Sequence, residues 1–69
     1  MKSIVRLVLM HAGVTLYDFE AAMIKPEMGE IISIGIGEIN QQDFKVEFIQ
    51  SCFDKDQNYK YLLVTGVKR

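Results

Sequence analysis

The sequence predicts an all-β domain: a small antiparallel sheet or partly open barrel of about five strands. Three observations predict it. Apolar residues alternate with polar ones or form short unbroken runs, Ile and Val dominate those runs, and Gly-, Pro- or Asp/Asn-bearing turns separate them. The alternative is an α+β domain, with a helix at about residues 15–25 packed on a four-stranded antiparallel sheet. Either way, 69 residues hold one domain, 1–69, because a second core has no room.

Ser3 to Met10 reads as a central strand. Val5, Leu7 and Leu9 share one face and Ile4, Arg6, Val8 and Met10 the other, so both faces ask for cover. His11-Ala12-Gly13 ends it. Val14 to Lys25 carries two periods at once. With period 2, Tyr17, Phe19, Ala21 and Met23 line one face against Asp18 and Glu20. With period 3.6, Leu16, Phe19 and Met23 form a stripe that Thr15 could cap. Ala21-Ala22-Met23 favours the helix and Tyr17 with Phe19 the strand; the strand is preferred.

Pro26-Glu27-Met28-Gly29 forms a turn. Glu30 to Ile36 follows as a strand, with Ile32, Ile34 and Ile36 on one side and Ile31, Ser33 and Gly35 on the other. Glu38 to Gln42 is a polar connection, Ile39 excepted. Asp43 to Phe53 alternates with Phe44, Val46 and Phe48 against Lys45 and Glu47. Asp54 to Asn58 is a polar loop, and Tyr59 to Val67 resumes the pattern. Folded as a hairpin with Phe53 opposite Asn58, Phe48 meets Leu63 and Phe44 meets Val67. The reverse face then carries Lys45, Glu47, Ile49, Lys60, Leu62 and Val64. Ile49 beside Leu62 makes an apolar spot there that wants covering.

Composition narrows the functional classes. The net charge of −1 argues against gripping nucleic acid by bulk charge. No apolar run is long enough to span a membrane. The start, Met1-Lys2-Ser3 and then Ile4 to Met10, has a faint signal-peptide shape. Arg6 interrupts its apolar run, and His11-Ala12-Gly13 is a poor cleavage site. One unpaired Cys fits a reducing compartment, so the expected home is the cytoplasm.

No constellation for chemistry completes. Gly35-Ile36-Gly37 matches the opening of a phosphate loop, but Asn40 stands where the third Gly belongs and no helix follows. Cys52 and His11 are each unique, yet no nucleophile signature surrounds the Cys. Asp54, Asp56 and Asn58 open like a calcium loop, but Tyr59 replaces its Gly. The expectation is therefore no enzyme, no catalytic residue, no metal and no cofactor. The four methionines, Met1, Met10, Met23 and Met28, offer at most an adaptable packing surface.

At this length apolar burial and the cost of ordering the chain nearly cancel, and no disulfide can help. A partner chain is the remaining source of stability. The leading expectation is a small non-catalytic interaction or assembly module, of adaptor or inhibitor type, acting as a homo-oligomer or bound to a larger protein. Its contacts would be Ile49, Leu62, Val64 and Ile31. One alternative is a single-stranded nucleic-acid binder using Lys45, Lys60, Tyr59 and Tyr61, since rings and lysines interleave on the paired strands. Another is a small-ligand sensing or sequestering protein with its pocket between subunits.

Overall fold

The structure is a computed structural model describing residues 2–69. Five strands form one sheet curled into a half-barrel: β1 (Ser3–His11), β2 (Val14–Met23), β3 (Ile31–Ile34), β4 (Gln42–Phe53) and β5 (Tyr59–Lys68). Among the described residues there is no helix, so the domain is all-β. Met1 lies outside the described residues. Met10 is half-buried, Met23 packs on the core and Met28 is exposed.

Period 2 wins over 15–25 because β2 has a neighbour to satisfy it. Tyr17, Phe19, Ala21 and Met23 stand opposite Leu9, Leu7, Val5 and Ser3 of β1. A two-residue turn joins the strands. Ala12 and Gly13 both adopt positive φ, 52° and 79°, as a tight right-twisting hairpin turn requires.

The strand order is β2-β1-β5-β4-β3. Three neighbouring pairs are antiparallel, but β1 and β5 run parallel, so the sheet is mixed rather than antiparallel throughout. The β1–β2 hairpin and the β3–β4–β5 meander join along that pair. Residues 24–30 connect the two edges of the sheet. Pro26 is buried, so the connection packs down instead of looping free. It ends in a turn in which the Glu30 N–H donates to Glu27 O (3.1 Å) and Gly29 takes φ 84°, a conformation that favours glycine. Gly29 N–H then donates to Val46 O, and Val46 N–H to Glu30 O, both at 2.9 Å, which leads the chain into β3.

The core lies on the concave face. Val5, Leu7 and Leu9 of β1, Leu62 and Val64 of β5, and Phe44 and Val46 of β4 are buried. Tyr17 closes it from β2, meeting Phe44 edge-on at 6.1 Å across the two strands between them. Gly66 sits among these residues. A Cβ there would come within 2.8 Å of Leu9 Cδ2 and 3.2 Å of Phe44 Cβ, so the absent side chain is what lets them approach.

Three expectations need correction. First, β1 is central but covered on one face only, and Ile4 is exposed. Second, β3 stops at Ile34. Gly35 and Gly37 turn the chain at φ 77° and 81°, leaving Ile36 80% exposed and Ile39 fully so. Third, the β4–β5 register differs. Phe48 pairs with Thr65, Phe44 with Lys68 and Phe53 with Tyr59. A bulge at Glu47 inserts one residue between Val46 and Phe48, and a second irregularity follows Cys52. Side chains alternate along a strand, so one extra residue exchanges the faces beyond it. Phe48 turns outward and Ile49 inward. Ile49, Leu62 and Val64 therefore share the concave face with the core, not a wet reverse face with Lys45.

Candidate functional site

The bulge leaves the outer face of the sheet apolar at its centre. Val8, Thr65 and Phe48 stand side by side across β1, β5 and β4. The next row is Met10, Val67, Lys45 and Ile31, running on into β3. Leu63 flanks them, opposite Arg6 and Gln50. Phe48 is 51% exposed and Val67 41%, while Val8, Met10 and Leu63 are half-buried by their neighbours alone. Of the four residues expected to meet a partner, Ile31 is 39% exposed and lies on this face. Leu62 and Val64 are buried inside the single chain and Ile49 packs against them, so those three belong to the core.

Toward β2 the outer face ends in an ion pair. Arg6 donates from Nε to Asp18 Oδ1 (2.9 Å) and from a terminal nitrogen to Oδ2 (2.8 Å). Its guanidinium lies over the Tyr61 ring, 5.9 Å from the centroid. Donation from Arg6 holds the Asp18 carboxyl below its ordinary value, and Asp18 raises Arg6 in turn. Glu20 stands directly opposite Arg6, yet Arg6 reaches diagonally to Asp18. Among the described residues, Glu20 has no ion-pair partner. Nothing in the local sequence marks this pair; only the β1–β2 register reveals it.

The residues considered for nucleic acid are divided. Lys60 and Tyr59 sit at the β4–β5 turn, with Lys60 Nζ 4.0 Å from Asp54 Oδ2 and Tyr59 edge-on to Phe53 at 5.9 Å. Tyr61 is engaged with Arg6. Lys45 pairs with Val67, seven residues along β5 from Lys60, or about 23 Å at roughly 3.3 Å per residue.

Each motif fragment has a structural use. Asp54 Oδ1 accepts from the Asp56 and Asn58 N–H groups, both at 2.9 Å, so that carboxylate folds the loop. The Gly35–Gly37 turn is closed by Glu38 N–H donating to Gly35 O, while Gly37 N–H donates to Gln41 Oε1. Cys52 lies opposite Tyr61, level with the start of β1, and His11 ends that strand, about 23 Å away along the sheet. Asp43 accepts from Ser33 Oγ (2.7 Å) and Gln41 Nε2 (3.1 Å), donors that lower its pKa. Among the described residues no group of three metal-binding side chains converges and no cavity is enclosed. Among the described residues no helix is long and apolar enough to cross a membrane. Compared with protein families, curated proteins and solved structures, the chain matches none.

Proposed function

We propose that this chain is a non-catalytic protein-interaction module that works by assembling with further copies of itself or by seating on a larger protein. The observation that carries the reading is the uncovered outer face, where Phe48, Val67, Val8, Met10 and Leu63 leave apolar surface over the inner strands, with Ile31 beyond Lys45 on the edge strand β3. The dimensions agree. The chain exposes 5001 Å², against about 4,400 Å² for a compact monomer of its mass. Its radius of gyration is 12.6 Å, against about 11 Å for a compact domain of this length. A one-layer sheet has that excess because only one of its faces is packed, and contiguous apolar surface of this kind marks interaction sites.

Free Cys52 supports a reducing compartment and so the cytoplasm. Nucleic-acid binding has less support, because the lysines stand at opposite ends of the hairpin. A ligand pocket between subunits would need the assembly first. Sedimentation of the intact chain at micromolar concentration tests the proposal. The expected result is a concentration-dependent dimer or larger assembly that Phe48→Lys weakens at least tenfold. A wild-type chain that stays monomeric counts against self-assembly through this face.

A further inference from the structure

We propose that the free edge of β2 accepts an extended strand from a different protein, one that carries basic residues at alternate positions; this rests on the reading of the chain as an interaction module. The two sheet edges are unlike. β3 has only four residues and is flanked by turns, which blunts it. β2 has ten, and its middle and far end contain neither Pro nor Lys. Its one bulge, at Leu16, lies near the start. Outside the β1 ladder, no backbone hydrogen bond reaches β2 among the described residues. The N–H and C=O groups on its outward side are therefore open to a further strand.

Charge selects the occupant. On the outer face β2 presents Asp18 and Glu20, the first already neutralised by Arg6 and the second unpaired. On the concave side Tyr17 and Phe19 remain more than one-third exposed, although they pack toward the core. An incoming strand with Lys or Arg opposite Glu20 and apolar residues between would satisfy both faces. A second copy of β2 contains no Lys or Arg, so it offers Glu20 no cation in any register. In an antiparallel two-fold pairing, registers centred on Asp18, Phe19 or Glu20 set Asp18 against Asp18, Asp18 against Glu20, or Glu20 against Glu20. Like charges directly opposite destabilise such pairs. The register centred on Tyr17 runs through the Leu16 bulge.

The test uses the intact chain and two short blocked peptides, one alternating valine with lysine and one alternating valine with glutamate. Each is added at about millimolar concentration while amide hydrogen exchange is followed. The lysine peptide should slow exchange at the β2 amides that face away from β1. It should bind about threefold to tenfold more tightly than the glutamate peptide, the effect of a like or unlike cross-strand charge. Glu20→Lys should reverse that preference. The proposal is overturned if the β2 amides exchange unchanged, if both peptides act equally, or if protection falls on β3. Sedimentation of the same samples separates the two readings. Self-assembly with an indifferent β2 edge sinks this proposal alone, whereas a monomer with an indifferent edge sinks it together with self-assembly through the outer face.

Discussion

Gly66 shows how little space the core leaves. An added methyl would press on Leu9 and Phe44 in the middle of the concave face. Gly66→Ala should therefore destabilise the chain by about 1–3 kcal/mol, despite the higher strand propensity of alanine. Urea unfolding measures this, and a neutral result would mean that Leu9 moves aside freely. The carboxylates give the second residue-scale expectation. Asp43 and Asp18 both have lowered pKa values, so their ionised forms are favoured in the fold. The stability they add is complete well above the unfolded value of about 4, and it drains away as the pH falls through the folded values below it. Unfolding followed from pH 7 downward should show that loss, and Asp43→Asn should flatten it. Neither carboxylate could be singled out from its neighbours in sequence, because the partners Ser33 and Arg6 arrive only through strand pairing.

At the level of elements, the bulge at Glu47 decides what the hairpin presents. Strict alternation would bury Phe48 and expose Ile49, whereas the fold does the reverse. At concentrations low enough to keep the chains apart, Phe48→Lys should leave stability within about 0.5 kcal/mol, and Ile49→Lys should cost about 1–3 kcal/mol. Denaturant midpoints of the two variants distinguish the registers directly. Four strands were legible, because apolar periodicity and turn residues are local signals; over Val14 to Lys25 the periodicity allowed a helix as well, and only the ring-bearing Tyr17 and Phe19 tipped it to strand. Which face of β1 would be buried was not legible: Val5, Leu7 and Leu9 on one side and Ile4, Arg6, Val8 and Met10 on the other both read as asking for cover, and only the first set is buried. The bulge was not legible either, since Lys45-Val46-Glu47-Phe48 alternates without a fault and carries no Gly to mark the extra residue. That miss displaced the expected site: Leu62 and Val64 were placed outside when they form the core. The end of β3 at Ile34 is marked by Gly35 and Gly37, yet the isoleucine alternation carries the expected strand on to Ile36.

Across the whole molecule, the mixed sheet depends on contacts distant in sequence. β1 meets β5 from the opposite end of the described chain, and among the described residues that is the pair through which the ladders of the two halves of the sheet connect. Loop closure must come before such contacts stabilise anything, so refolding should take milliseconds to seconds instead of microseconds. Stopped-flow refolding checks this, and a microsecond phase carrying the full amplitude would contradict it. The parallel pair was beyond the reach of periodicity, which assigns faces to strands but not neighbours. A hairpin followed by a meander can close on either outer strand.

That same parallel seam determines how the molecule would respond to being pulled. Ser3 begins β1 at one pole and Lys68 ends β5 at the other, so tension between them slides the two strands lengthwise past each other. Their ladder would be loaded in shear, all rungs at once, where a hairpin peels open one rung at a time. A fold with such a thin interior would then be mechanically tough along this one axis. In a single-molecule stretching experiment, rupture between residues 3 and 68 should need a larger force than rupture between residues 3 and 23, which unzips β2 from β1.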